Sequence, residues 1–70
     1  MTDIRAEMTA SVWKVNVVVG QQVEADDELL ILESMKMEIP VVAPSAGTVE
    51  VVHVAPDDQV SEGAVLVTLA

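Results

Sequence analysis

Residues 26–38 read Asp26-Asp27-Glu28-Leu29-Leu30-Ile31-Leu32-Glu33-Ser34-Met35-Lys36-Met37-Glu38, and the fold turns on whether this stretch is a helix or a hairpin. Leucine, methionine, glutamate and lysine are good helix formers, the run starts acidic, and Pro40 stands just beyond its end, so propensity alone predicts a helix. The alternative is a continuous apolar strand Leu29–Leu32, a return strand Ile39–Val42 with Pro40 at an edge or irregular position, and the hairpin Glu33–Glu38 between them.

An internal repeat decides for the hairpin. Shifting the chain by 37 positions aligns residues 4–33 with 41–70 without a gap, and eight of the thirty pairs are identical: Ala6/Ala43, Val12/Val49, Val15/Val52, Val17/Val54, Gln22/Gln59, Val23/Val60, Leu29/Leu66 and Leu32/Leu69. The counterpart of the ambiguous run is Gly63–Ala70, which carries Val65, Val67 and Thr68 and reads as a strand. Two copies that cannot each bury an apolar face pack together about a pseudo-twofold axis, and tertiary context overrides helix propensity. The chain is then one domain, 1–70, with halves of about 4–33 and 41–70 joined by a hairpin at 34–40.

The rest of the chain agrees. Fifteen of the 70 residues are valine, which favours the pleated strand. Val12–Val19, Thr48–Val54 and Val65–Leu69 read as strands. Gly20-Gln21-Gln22, Asp26-Asp27, Pro44-Ser45-Ala46-Gly47 and Pro56-Asp57-Asp58 read as turns, and Val23 opens a short extended piece. The expected fold is all-β, a small sandwich or barrel.

Composition excludes several kinds of chemistry. There is no cysteine and one histidine, His53, so neither a disulfide framework nor a cluster of nitrogen and sulfur metal ligands is available. The formal net charge of -9 disfavours nucleic acid and anionic membrane surfaces as partners and favours a basic protein surface. No phosphate-binding glycine loop and no nucleophile paired with a base is present, so no catalytic residue is assigned. The N-terminus lacks the long apolar run of a signal peptide, and a cytoplasmic location is expected. His53, aligned with Asn16, is expected on the surface without a partner. Trp13, aligned with Glu50, is expected to be partly exposed.

The hairpin itself breaks a local rule. A tight β-turn favours Asn-Gly, Asp-Gly or glycine, because those residues tolerate positive φ. Methionine and lysine stand there instead, and such a break marks a functional position. With only Glu33 and Glu38 nearby, Lys36 suits an attachment point better than a catalytic amine, which needs burial or a neighbouring cation.

Glu33-Ser34-Met35-Lys36-Met37-Glu38 resembles the biotin-attachment motif of biotin-dependent carboxylases and decarboxylases, whose heart is Met-Lys-Met. The resemblance runs through the whole chain: Val19-Gly20-Gln21-Gln22-Val23 is similar to the family's upstream glycine turn, and Ala43-Pro44-Ser45-Ala46-Gly47-Thr48-Val49 to its Pro-x-x-Gly-x-Val stretch. The resemblance implies a flattened β-barrel of two four-stranded antiparallel sheets, a barrel-sandwich hybrid. It makes Lys36 the acceptor of covalent biotin and Glu33, Ser34, Met35, Met37 and Glu38 contacts for partners. Gly20, Pro44, Gly47 and Gly63 become structural turns. The implied function is a non-catalytic carboxyl carrier. A biotin protein ligase loads Lys36, a biotin carboxylase carboxylates the biotin, and a carboxyltransferase receives the carboxyl group from carboxybiotin. Met1 and the absence of a Pro/Ala-rich linker suggest a freestanding carrier. A lipoyl carrier on the same fold is the nearest alternative, although its motif typically has aspartate before the lysine and alanine after it. An unmodified docking module is a further one.

Overall fold

The computed structural model describes all 70 residues and contains eight strands and no helix: β1 Thr2–Arg5, β2 Ala10–Val15, β3 Gln22–Val23, β4 Glu28–Ser34, β5 Met37–Val42, β6 Gly47–Val52, β7 Gln59–Val60 and β8 Val65–Leu69. They form two four-stranded sheets, ordered β1-β8-β6-β3 and β5-β4-β2-β7, and every pairing is antiparallel. The two sheets face each other across one core and are not joined edge to edge by ladder bonds, so the barrel is a flattened sandwich rather than a closed ring.

A shift of 37 residues, forward for β1 and β3 and backward for β8 and β6, turns the first sheet's order into the second's, strand for strand. The backbone repeats this in detail. Of the 15 backbone hydrogen bonds outside the ladders, fourteen fall into seven pairs related by the same shift, such as Ala6 N–H to Ala64 O with Ala43 N–H to Asp27 O, and Asn16 N–H to Leu29 O with His53 N–H to Leu66 O. The left-handed turn positions also coincide, with glycine and aspartate exchanged. Gly20 (φ 94) corresponds to Asp57 (φ 77), and Asp26 (φ 71) to Gly63 (φ 88). Aspartate is among the few side chains that enter this region readily, which explains how the first copy manages without glycine at 26.

Each copy places two strands in each sheet, so neither copy builds a sheet of its own. The core holds fifteen apolar residues. Of the eight identical repeat pairs, only Gln22/Gln59 is solvent-facing; the other seven are in the core or packed against it.

The strands differ at their ends from the sequence expectation. β2 stops at Val15 rather than Val19, and β6 at Val52 rather than Val54. The alternation of Val15, Val17 and Val19 suggested a longer strand, but Val17 is buried outside any ladder as the chain crosses between sheets. β1, not anticipated as a strand, pairs with β8. Each long inner strand carries a bulge at an equivalent place: Trp13 in β2 and Glu50 in β6 are skipped by their partners' registers. A bulge resets the in–out alternation. Val12 and Val15 therefore face inward while Trp13 and Lys14 both face solvent.

Candidate functional site

The hairpin between β4 and β5 is tighter than its sequence suggests. Ser34 pairs with Met37 and Glu33 with Glu38, leaving only Met35 and Lys36 as the tip. Both tip residues have positive φ, 53° and 66°, the geometry of a two-residue type I′ turn that follows the right-handed strand twist. Neither has the short polar side chain that eases this conformation, so each is held there at a cost of about 1–2 kcal/mol. The six ladder pairs below the tip impose it.

The tip lies at one end of a body measuring 30 × 17 × 17 Å. β4 runs toward it and β2 runs back. The chain then crosses near Gly20 to β3, beside Thr48 and Gly47, where Ala70 also bonds to Thr48. The chain ends, joined through the Thr2–Leu69 pair, therefore lie at the end opposite Lys36.

Lys36 is exposed and in no ion pair; the single ion pair of the molecule joins Arg5 to Asp3 at 3.8 Å. Met35 is 91% exposed and Met37 64%, so neither closes the apolar end of the sandwich. They stand beside the lysine as flexible, polarizable side chains. Glu33 and Glu38 are exposed and directly opposite each other, and Ser34 is half-buried at the base of the turn. No group of histidine, cysteine and carboxylate side chains capable of holding a metal is present. No helix is long and apolar enough to cross a membrane.

The four residues read as structural turns serve differently. Gly20 and Gly63 occupy left-handed turns with open space where a Cβ would be, so conformation is their constraint. Pro44 lies in a bend. Gly47 is the first residue of β6, not a turn residue, and a Cβ there would meet the carbonyl oxygen of Ala70 at 3.0 Å.

His53 has a partner that the sequence reading did not foresee. Its Nε2 lies 2.9 Å from Thr68 Oγ1, and Thr68 donates to Asp3 Oδ1 at 2.9 Å. The threonine's only proton goes to a carboxylate that can only accept, so His53 Nε2 is the donor to Thr68. The chain of bonds ties β1 and β8 to the segment just after β6. The readable signal was Thr68 itself, a polar residue in an otherwise apolar strand.

The fold and the tip define a class of protein: a small twofold-repeated sandwich that displays one exposed lysine on a tight hairpin at its end. Comparison with known proteins gives the class its family. A family model described as "Biotin-requiring enzyme", the biotin/lipoyl family, matches residues 1–69. The biotin/lipoyl attachment protein of Bacillus subtilis is 46% identical over 67 residues, which are 96% of this chain and 92% of that protein. The biotin carboxyl carrier protein of Streptococcus mutans is 45% identical over 65 residues, 93% of this chain but 50% of that one. The crystal structure of the Kluyveromyces lactis urea carboxylase superposes with a TM-score of 0.92 at 32% identity, covering 99% of this chain and 6% of the much longer carboxylase chain. The chain belongs to the biotin/lipoyl attachment family.

Proposed function

We propose that Lys36 is the residue that accepts biotin, and that residues 1–70 act as one attachment domain presenting it as a carboxyl carrier. The observation that carries this reading is the tip. An exposed lysine is held at positive φ between two exposed methionines, where a merely structural turn would have Asn-Gly. Attachment by a biotin protein ligase forms an amide between Lys36 Nζ and the biotin carboxyl carbon. The amine displaces AMP from the acyl-adenylate and gives up a proton, and the domain becomes more acidic by one charge. Biotin so held supplies a ring nitrogen that takes up and releases a carboxyl group. The domain's part is presentation: β4 and β5 fix the base of the arm, Met35 and Met37 offer adaptable apolar contact, and tethering keeps the group at high local concentration near each active site.

The chain is a carrier and not a catalyst; beyond the ligase, the partners of this reading are a biotin carboxylase and a carboxyltransferase, and its place is the cytoplasm, a reading supported by the carboxylases and carrier proteins it is similar to. Neither nucleic acid nor membrane suits a surface of this charge. Methionine on both sides of Lys36, rather than the aspartate and alanine typical of lipoyl carriers, favours biotin. The test supplies the biotinylated chain to a purified biotin carboxylase with ATP and labelled bicarbonate. Acid-labile label on the parent chain and none on Lys36→Ala is the expected result. Label-free biotinylated parent chain contradicts the carrier role.

A further inference from the structure

The two sheets share one backbone plan, yet their outer faces differ. On the sheet containing β1 and β8, the middle row is Asp3, Thr68 and Val51 with the bulged Glu50 beside it, polar at every position but Val51 and tied by the His53–Thr68–Asp3 hydrogen bonds. The equivalent row on the other sheet is Pro40, Ile31 and the bulged Trp13 with Lys14 beside it. Trp13 is 48% exposed, and Ile31 is not among the residues packed on the core. The opposite sheet demonstrates that the fold accepts polar side chains at the positions of Pro40, Ile31 and Trp13, so packing does not require the apolar ones. The row spans about 10 Å across three strands and lies about 10 Å from the hairpin tip. Between it and the tip stands the opposed pair Glu33 and Glu38, an unfavourable arrangement of like charges with no ion-pair partner in the molecule.

We infer that this face, centred on Trp13 and Ile31 and edged by Glu33 and Glu38, is the docking surface for the enzyme that attaches biotin to Lys36. The inference rests on the function proposed above. The occupant presents an apolar slot for the indole and basic side chains for the two glutamates, which relieves their mutual repulsion. The attaching enzyme is the occupant because its substrate is a bare primary amine. Lys36 and Lys14 are chemically alike and both exposed, so an enzyme that modifies one of them has to read the surrounding surface. Enzymes acting later can hold the attached group itself. Tryptophan is also the side chain most enriched where interfaces concentrate their binding energy.

Two variants exchange the face for residues the fold already uses at equivalent positions: Trp13→Glu, as at position 50, and the charge-neutral Ile31→Thr, as at position 68. With a purified biotin protein ligase, kcat/KM for loading Lys36 falls about tenfold or more in each, through KM with kcat unchanged. Glu50→Trp on the opposite sheet loads like the parent. A second measurement needs no variant: adding ligase to the isotopically labelled parent shifts amide signals of β2 and the middle of β4 and β5. Parent-like loading by both variants, or shifts confined to the hairpin or to the β1–β8 sheet, overturns the docking surface and leaves the carrier function standing. Shifts produced by raising the domain's own concentration, or by a biotin carboxylase and not by ligase, assign the face to another occupant and also overturn it. A parent that takes up no biotin overturns the function itself, and with it this inference.

Discussion

Under the proposed function, Met35 and Lys36 place function and stability in opposition within a single turn. Both occupy a backbone conformation suited to asparagine and glycine, and Met35 is almost fully exposed, so its side chain contributes no packing to offset the strain. Met35→Asn is therefore expected to stabilise the domain by about 1 kcal/mol, a rise in Tm of roughly 4–8 °C for a domain of this size. Thermal unfolding followed by far-ultraviolet dichroism checks it. An unchanged or lower Tm means that the tip is not strained. The same variant removes one of the two methionines beside the lysine, so greater stability is expected to come with slower transfer by partner enzymes.

The strands give the repeat its energetic meaning. Leu29 and Leu66 are identical by the 37-residue shift, each fully buried, and each sits at a register shift of an inner strand. Leu29→Ala and Leu66→Ala are each expected to cost about 2–5 kcal/mol, and to cost nearly the same, because the cavities open in equivalent surroundings. Urea unfolding of both variants measures this; a loss under 1 kcal/mol at either site contradicts the core assignment. Most of this element-level structure was legible in the sequence, because repeat-related valines and leucines mark the inward positions of both sheets. The ends of β2 and β6 were not legible. Val17 continues the alternation but is buried by the crossing between sheets, and no local pattern distinguishes the two. The Trp13 and Glu50 bulges were likewise hidden, since a bulge is a property of pairing and not of one strand. The hairpin was located correctly only because the repeat outvoted helix propensity over residues 26–38. Its tip proved two residues long where the sequence suggested six, because Glu33, Ser34, Met37 and Glu38 still pair. The His53–Thr68–Asp3 bonds join residues up to 65 apart, beyond the reach of any motif.

At the scale of the molecule, the alternation of copies between sheets makes folding all-or-none. β1 and β3 belong to one sheet while β2 and β4 belong to the other, so the first half-chain retains only the β2–β4 ladder and the second only the equivalent β6–β8 ladder. Fragments 1–36 and 37–70 are each expected to be unfolded alone, and to gain β structure on mixing. A folded isolated half by dichroism contradicts the shared core. The same plan sets the polarity of the domain, with Lys36 at one end of the long axis and the chain termini at the other. The Lys36 end points away from the chain ends. The central claim is that this end carries biotin on Lys36. The most direct test is the intact mass of the chain after co-expression with a biotin protein ligase, with fragmentation of any shifted species. One added biotinyl group, localised to Lys36 and absent from Lys36→Ala, is the predicted result. An unshifted mass with ligase and biotin in excess, or the group on Lys14, contradicts it.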